Sequence, residues 1–587
     1  MRVEIHRTIP DDPALRKQWN VLVEQMPTPE VFYTYEWAAS VERAYRDALT
    51  PWLLFAYEDH DLRGIAALAT EPNSGQVSWL AGTTADYCDF VSAAADREGL
   101  VNAVFAELRK EGITDLALAN IPSDSDTVRA IRKLAGKHKY HAFLRTAYHC
   151  AQVKLGTEAE RRALKSKLNG RKIFRRGTNF LNRQGILSLV HRTTWDSIEP
   201  LLYDFSTAHI ARFLATGRIS NHVDRKRRVF LLELAKALSS SGWLVLSQLN
   251  AGNRTVAWNY GFRFCDSWFW YQPTFESEFE QVSPGYCLLS NMIVESCDTP
   301  DIQVVDLGLG AEGYKERFAN QTRKTLHAVI SASASRTTKA ALRYGASRAA
   351  TASPVLEARI RASLRRLETL RDAYHQKPSP LAAARGRAAR WISNRDEVRF
   401  YQWSPDSVLK ETQCRLPDSR LVPITLDLLA HAAMQYEGDR ELQAYLLRAA
   451  SRRKSAGVAG YALLGEDGGA LHFAWTAPFE GFFMAELRVH LSAPSANATL
   501  IFDCWTPAPV RGRGSYGIAI RLLANQLLGE GRDPWIFSAS SNQPSVHGLT
   551  KASFEHRFSM IRRKTLMIQR VTKMPGPDRA REVPVGS

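Results

Sequence analysis

The segment that most constrains the fold is residues 506–517, which read Thr-Pro-Ala-Pro-Val-Arg-Gly-Arg-Gly-Ser-Tyr-Gly. It follows an apolar, strand-like run at 498–504 and precedes an apolar helical run. Glycines let bare backbone N–H groups close on an anion, and the N-terminus of a following helix adds partial positive charge. The pattern therefore predicts a strand–turn–helix site for a phosphate-like anion.

A second segment lies about 30 residues further on and contains Asn542-x-x-Ser545, followed by Lys551-Ala-Ser-Phe. In this order, the two segments resemble the GNAT N-acetyltransferases, whose pyrophosphate loop has the consensus Arg/Gln-x-x-Gly-x-Gly/Ala. Arg511 and Gly514 fit that consensus, whereas Tyr516 stands where a small residue is usual and Ser553 where glycine is usual.

The resemblance implies an α/β fold with a mixed sheet and acetyl-CoA, or another acyl-CoA, as co-substrate, with no metal. By the same resemblance, the cofactor-binding residues are Arg511, Gly512, Arg513, Gly514, Ser515, Tyr516, Gly517, Asn542 and Ser545.

One arrangement recurs three times along the chain: an apolar strand, a polar turn and a second strand. The copies span 52–70, 243–262 and 458–475, with turns at 59–64, 250–253 and 466–469 that tolerate positive φ. At 587 residues, and with about 150 residues per domain, the chain is long enough for three or four domains. We predict tandem GNAT-like domains in three units: 1–150, 151–330 and, after a basic helical linker at 331–395, 396–575. The tail at 576–587 is predicted to be disordered.

The middle unit contains Ser283-Pro-Gly285 before an apolar helix, and later a strand ending in Asp306, a glycine-rich turn and Tyr314-Lys315. These motifs, with 32–37 and 86–90 upstream, resemble the CelD/BcsL-type acetyltransferases of cellulose and exopolysaccharide biosynthesis, which are distant relatives of FemAB-like proteins. The resemblance covers residues 15–325. It implies that the acceptor is bound by Ser283, Gly285, Tyr314 and Lys315.

Acyl transfer needs a base, an oxyanion site and an acid for the leaving thiolate. Many GNAT proteins use a late tyrosine as the acid, but Leu549 occupies that position here, so Tyr516 and His547 are the candidate substitutes. Glu486 and Asp503 are candidate bases because we expect them on strands near the loop. In the middle unit the candidate titratable pair is His209 and Asp306.

The net charge of +17, from 77 Lys and Arg against 60 Asp and Glu, predicts an anionic partner. Coenzyme A phosphates, nucleic acid and an anionic membrane all meet this condition. Residues 161–176 contain eight cations, but no zinc-finger, helix-turn-helix or RNP pattern accompanies them. We expect a solvated or ligand-facing basic helix there and no sequence-specific binding of nucleic acid.

The linker has leucines and an isoleucine on one helical face and arginines mostly off it, at 356–370. This pattern predicts a connecting helix, or alternatively a contact with an anionic membrane or a partner. The sequence has no run of 18 apolar residues and no h-region at its start, which predicts a cytoplasmic protein, with the inner face of the membrane as the other location. The seven cysteines form no Cys-x-x-Cys pair, so neither a zinc cluster nor a disulfide framework is predicted.

The predicted function is acyl transfer from acyl-CoA to an amine or hydroxyl acceptor in polysaccharide or cell-envelope biosynthesis. Two alternatives stay open. One is a FemAB-like aminoacyltransferase that uses aminoacyl-tRNA. The other is a catalytically inactive GNAT scaffold in a polysaccharide synthase complex, which the departures at Tyr516, Leu549 and Ser553 favour.

Overall fold

The computed structural model describes residues 2–72, 75–310, 312–351, 394–404, 419–565 and 568–576. The chain forms two compact units, Met1–Arg212 with Asp224–Ala358, and Phe213–Val223 with Arg359–Ser587. Both are mixed α/β, so the predicted fold class is confirmed. The apolar face expected at 356–370, most of the linker and nearly all of the tail lie outside the described residues.

The first unit is built on one large sheet. Its strands are β1 (Arg2–His6), β2 (Thr50–Glu58), β3 (Asp61–Thr70), β4 (Val77–Trp79), β5 (Val91–Ser92), β6 (Asp115–Pro122), β7 (His141–Lys154), β8 (Leu187–Arg192), β9 (Leu244–Ala251), β10 (Arg254–Phe264), β11 (Ser267–Phe275), β12 (Val304–Asp306) and β13 (Gln321–Ser331).

The helices along residues 2–351 are α1 (Pro13–Glu24), α2 (Tyr35–Tyr45), α3 (Arg97–Lys110), α4 (Asp126–Leu134), α5 (Glu158–Gly170), α6 (Lys172–Gln184), α7 (Trp195–Ile198), α8 (Leu202–Ala215), α9 (Arg225–Ser239), α10 (Pro284–Cys297) and α11 (Ala334–Thr351). Short polar side chains start several of them, since Thr34 and Ser125 cap α2 and α4, and Thr157 and Glu160 form a capping box on α5.

The sheet of the first unit shows the same series of parallel and antiparallel strand pairs when it is read inward from either edge. From one edge it runs β1-β2-β3-β4-β6-β13-β7, and from the other β8-β9-β10-β11-β12-β7-β13. Each series has three antiparallel pairs, then one parallel pair (β4 with β6, or β11 with β12), then two antiparallel pairs. The unit therefore consists of two halves with matching topology.

The two halves exchange strands at the centre of the sheet. β13, the last strand of the second half, pairs with β6 of the first half, while β7 pairs with β12 of the second half. β7 and β13 also pair with each other over 11 registered positions, from Gln321 with Gln152 to Ser331 with His141. The predicted boundary at 150 falls inside β7, because the strand that ends one half belongs to the sheet of the other.

The second unit contains β14 (Asn394–Trp403), β15 (Arg420–Pro423), β16 (Ala459–Leu464), β17 (Ala470–Pro478), β18 (Phe483–Met484), β19 (Val489–His490), β20 (Ala498–Trp505), β21 (Asp533–Ala539), β22 (Phe554–Thr565) and β23 (Ile568–Pro575). Its helices are α12 (Leu426–Gln435), α13 (Arg440–Arg452), α14 (Ser515–Gly529) and α15 (Gln543–Lys551).

The sheet of the second unit repeats the series found twice in the first. Its order is β15-β16-β17-β20-β21-β14-β22-β23, with three antiparallel pairs, the parallel pair β20/β21 and further antiparallel pairs. β14 takes the position that an exchanged strand takes in each half of the first unit. The three predicted hairpins are confirmed as β2/β3, β9/β10 and β16/β17. The division into three domains stays a prediction.

Two irregularities open the sheet of the second unit beside the glycine-rich loop. β20 and β21 pair from Ala498 to Ile501, although β20 continues to Trp505. The pairing of β20 with β17 slips between Phe502 and Trp505, which leaves one extra residue in β20. The parallel strands consequently diverge towards the residues that start the loop.

Among the described residues, no helix has the length and apolar character needed to cross a bilayer.

Candidate functional site

The loop after β20 leaves a series of backbone N–H groups without acceptors. Gly512 and Gly514 have φ of +80° and +82°, and α14 begins directly after Gly514. The first helical N–H bond runs from Ile518 to the Gly514 carbonyl oxygen, 3.2 Å away. Among the described residues, no acceptor meets the backbone N–H groups of residues 512–517. These donors lie at the positive end of the α14 dipole, an arrangement that suits the binding of an anion.

A cavity of about 740 Å³ lies against this loop. Its lining includes three cations, Arg511, Arg521 and Lys551, and no acid is among the described residues that line it, although Glu441 lies 3.6 Å from the Arg511 guanidinium. The predicted residues that line it are Arg511, Gly512, Gly514, Ser515, Tyr516, Gly517, Asn542, Ser545 and His547. Arg513 is the one predicted loop residue that does not line it. The volume and charge suit a large anionic ligand.

The two sequence segments meet in the cavity wall. Asn542 caps α15, and its side-chain oxygen accepts a hydrogen bond from the Ser545 N–H at 3.3 Å. The hydroxyls of Tyr516 and Ser545 lie 3.1 Å apart. A Cβ at position 548 would lie 2.7 Å from the Tyr516 ring, so Gly548 leaves the space in which that ring packs. Burial raises the pKa of the Tyr516 phenol well above its usual range, which keeps it protonated.

Buried polar groups also line the cavity, and the sequence interpretation named Ser515 among them but missed His472, Trp505 and Thr506. Nδ1 of His472, on β17, lies 2.8 Å from the Thr506 hydroxyl, and its ring centroid is 5.5 Å from that of Tyr516. Nε2 of His472, Oγ of Ser515 and Nε1 of Trp505 are buried without a hydrogen-bond partner in the described chain. Burial lowers the pKa of His472 to about 3, so the imidazole is neutral. The only sequence signal for His472 was its place as the single titratable residue in the largely apolar strand β17.

The two candidate bases of the second unit lie away from the cavity lining. Asp503, at φ +45° in the extra-residue segment of β20, forms an ion pair with Arg452. Glu486 is exposed in the turn between β18 and β19, so its expected placement on a strand was wrong. Leu549, where the sequence resemblance would place a tyrosine, is fully buried in the core and offers no proton.

In the first unit Asp306 is the centre of a buried hydrogen-bond network. One carboxylate oxygen accepts from the Tyr87 hydroxyl at 2.8 Å and from the Gln152 amide at 2.7 Å. The other accepts from the Gly308 N–H at 2.7 Å. The hydrogen-bond partners of Asp306 are thus Tyr87, Gln152 and Gly308, and His209, the other member of the predicted pair, is not among them. His209 is buried on α8, with its ring centroid 6.3 Å from that of Phe205.

The Tyr314–Lys315 pair is also largely enclosed. The Tyr314 hydroxyl accepts from Nε1 of Trp270 at 3.0 Å, and burial raises the pKa of this phenol above its usual range. The Lys315 ammonium donates to the Leu309 carbonyl oxygen at 2.8 Å and lies 3.5 Å from the Glu312 carboxylate. Both side chains therefore fix the glycine-rich turn.

Ser283 and Gly285 lie at the start of α10. Ser283 has φ +54° and caps the helix without a side-chain hydrogen bond, and Pro284 is its first residue. A Cβ at Gly285 would come 3.3 Å from the Phe275 ring. As predicted, α10, the helix that follows β11, begins at Pro284-Gly285.

In the described chain no group of three or more His, Cys, Asp or Glu residues could hold a metal ion.

Residues 169–316 match the family model described as "Acetyltransferase (GNAT) domain". This range covers most of the second half of the first unit, including Ser283, Asp306 and Lys315. No curated protein sequence matches the chain.

Solved structures resemble parts of the chain at low identity. FemX is 10% identical with a TM-score of 0.39, over 56% of this chain and 97% of that chain. The C-terminal domain of a putative lysylphosphatidylglycerol synthetase from Agrobacterium fabrum is 11% identical with a TM-score of 0.36, over 56% and 94%. A tandem GNAT protein from the clavulanic acid biosynthesis pathway is 12% identical with a TM-score of 0.31, over 56% and 98%. These likenesses are too distant to indicate a shared function.

Proposed function

We propose that the second unit binds acyl-CoA and transfers the acyl group to an amine or hydroxyl acceptor. The observation that supports this most is the cavity at residues 511–517, where unsatisfied backbone donors, a helix N-terminus and three cations surround one space.

The residues present fit the diphosphate of coenzyme A. The N–H groups of Gly512 to Gly517 would hold its oxygens, since glycines at 512 and 514 allow the close approach. Arg511 and Lys551 would offset its charge. The free edge of β20 beyond Ile501 is the place for the pantetheine amides. When bound, the coenzyme supplies an acyl thioester that an amine or hydroxyl can attack.

Tyr516 is our proposed acid for the leaving thiolate. Its hydroxyl lies in the cavity wall, its pKa is raised by burial, and Ser545 holds its orientation. Of the predicted bases, Asp503 is held by Arg452 and Glu486 is exposed elsewhere, so we assign neither to proton removal in this cavity.

For the first unit we propose a second acyltransferase domain at 169–316, in which α10 begins at the place that α14 takes in the second unit. Ser283 and Gly285 would then face a ligand, and Tyr314 and Lys315 would position the turn after Asp306. The CelD/BcsL-type resemblance supports a saccharide acceptor from polysaccharide or envelope biosynthesis, with a cytoplasmic location.

A non-catalytic scaffold is the second candidate function. The buried Leu549 and the Asp503–Arg452 ion pair favour it, because each removes a group that acyl transfer could use. Such a scaffold would bind acyl-CoA without releasing free thiol.

Titration of acetyl-CoA into the purified chain tests the proposal. Ligand at 100 times its Kd should stabilise the second unit by about 2.7 kcal/mol. Absence of any stabilisation by acetyl-CoA, with coenzyme A and longer acyl-CoAs equally inactive, would refute it. Nuclease treatment of active preparations separates it from an aminoacyl-tRNA enzyme, whose activity would be lost.

A further inference from the structure

The basic segment at 161–176 is divided between two different roles. Arg161 is buried and donates to the carbonyl oxygens of Ser296, Thr299 and Ile302 at 3.1, 3.0 and 2.6 Å, which satisfies the end of α10. Arg171 donates to the Tyr286 hydroxyl at 2.8 Å. These two cations hold the fold together and are not available to an external partner.

The cations of α6 behave differently. Lys172, Arg175, Arg176 and Arg183 are exposed, and none forms an ion pair or side-chain hydrogen bond with a described residue. From 161 to 192 the sequence contains no aspartate or glutamate. Lys172, Arg176 and Arg183, with Asn179 between them, follow one side of the helix at spacings of three and four residues. We call this stripe, with Arg175, the α6 face.

The orientation of the α6 face is fixed by packing on the opposite side. Phe174, Gly177 and Leu181 are buried. A Cβ at Gly177 would lie 2.6 Å from Sγ of Cys287 and 2.7 Å from the Val282 carbonyl oxygen, so the helix lies close against the start of α10. The cations therefore cannot turn inward to find partners.

Two exposed apolar side chains accompany the cations. Ile173 lies in the first turn of α6 with 36% of its surface exposed, and Ile186, just beyond its end, has 85% exposed. Ile186 is held on a firm turn, because its carbonyl oxygen accepts from the Gly252 N–H at 2.9 Å and Asn182 accepts from the Leu187 N–H at 3.0 Å. Ile186 is the most exposed of the large apolar side chains in the described chain.

We propose that the α6 face binds the surface of an anionic lipid bilayer. Cations without partners attract acidic headgroups, and apolar side chains beside them enter the boundary between headgroups and acyl chains. Nucleic acid would satisfy the cations but would leave Ile173 and Ile186 in water, which is why lipid is the better fit. The inference does not rest on either acyl-CoA proposal, since no cation or isoleucine of the α6 face is assigned to coenzyme or acceptor there and vesicle binding needs no coenzyme.

The test measures co-sedimentation of the full chain with phosphatidylcholine vesicles that contain or lack phosphatidylglycerol. We expect binding that requires the anionic lipid and weakens with salt. A variant with Lys172→Glu, Arg176→Glu and Arg183→Glu should bind about 100-fold less, given the attraction of each cation to an anionic surface. The matched control is Lys17→Glu, Lys110→Glu and Lys133→Glu, which changes the net charge equally at exposed sites of the first unit.

A second pair of variants tests the apolar contribution without a change of charge. Ile186→Ser should weaken vesicle binding several-fold, whereas Leu342→Ser, at an exposed position on α11, should not. No vesicle binding by the parent chain, or equal binding by parent and α6 variant, overturns the proposal. It is also overturned if a single-stranded oligonucleotide binds tightly, depends on the three cations and ignores Ile186, because the face would then serve nucleic acid.

Discussion

The hydroxyl of Tyr516, in the first turn of α14, lies 3.1 Å from the hydroxyl of Ser545, in the first turn of α15. This contact joins the two sequence segments that are about 30 residues apart, and it does so in the wall of the cavity of about 740 Å³. Tyr516 thereby brings a protonated phenol to α15, the helix that contains the buried Leu549.

Tyr516→Phe should separate binding from catalysis. Loss of the hydroxyl removes the proposed acid, so release of free coenzyme A from acetyl-CoA should fall about 100-fold, while the Kd for acetyl-CoA stays within a factor of a few. Thiol release measured with a chromogenic reagent, beside a binding titration, checks this.

The contact between Tyr516 and Ser545 also contributes to the stability of the second unit, and separate measurements distinguish this contribution from catalysis. Tyr516→Phe and Ser545→Ala should each cost about 0.5–1.5 kcal/mol of unfolding free energy, and the double variant should cost less than their sum. If Ser545→Ala slows thiol release as much as Tyr516→Phe does, the pair acts through orientation of the loop, and the acid assignment is lost.

Gly514→Val should abolish binding of acetyl-CoA while the chain still folds. No atom lies within 4 Å of the added Cβ, so the cost in the folded state comes from φ +82°, of the order of 1–3 kcal/mol. The loss of binding follows because the valine would fill the space that the diphosphate must enter. Titration calorimetry and thermal melting measure the two effects separately.

Gly531→Val is the matched control for that substitution. Gly531 has φ +73° with open space around it, and it lies beyond the other end of α14. It should lose similar stability and keep acetyl-CoA binding. Arg513→Ala should weaken binding by only about 0.2–1 kcal/mol, since Arg513 does not line the cavity. If Arg513→Ala abolished acetyl-CoA binding and Gly514→Val left it unchanged, side chains rather than backbone N–H groups would hold the anion.

Local patterns predicted the parts of this fold that depend on neighbouring residues. The hairpins, the Pro-Gly start of α10 and the glycine loop before α14 all follow from turn chemistry and helix-start signals within a few residues. For the same reason eight of the nine predicted cofactor-binding residues line one cavity: they belong to two short segments at helix N-termini.

Long-range pairing could not be predicted in this way. The exchange of β7 and β13 places strands far apart in the sequence side by side, as with Arg323 opposite Cys150, and no local pattern encodes that choice. His472 reaches the cavity because β17 pairs with β20, which brings it next to Thr506. Asp306 was predicted as a reactive carboxylate, yet three hydrogen-bond donors surround it, and two of them come from distant strands or loops.

His472 should make the second unit sensitive to acid. Burial lowers its pKa from 6.5 to about 3, so between these values the unfolded chain binds a proton that the folded chain does not. The buried neutral histidine therefore costs no stability above pH 6.5. Below that pH the free energy of unfolding falls by about 1.4 kcal/mol per pH unit, down to about pH 3. His472→Gln should flatten this slope in denaturant titrations between pH 7 and pH 4. Equal slopes for the parent and His472→Gln would contradict the prediction.

Strand β14 should be required for the second unit to fold. It lies between β21 and β22, and its Val398, Phe400 and Tyr401 are almost completely buried. Loss of the strand would expose these contacts, each worth about 1.5–3 kcal/mol, and would open two strand edges in the middle of the sheet.

We therefore expect a fragment of residues 390–576 to melt cooperatively and to be stabilised by acetyl-CoA, and a fragment of residues 419–576 to do neither. Addition of a synthetic peptide spanning β14 should restore part of the cooperative transition to the shorter fragment, whereas a peptide with Phe400→Asp should not. A cooperative, acetyl-CoA-stabilised transition in the shorter fragment alone would show that the sheet closes without β14, and that the inserted strand is an addition to the acyl-CoA unit and not part of its core.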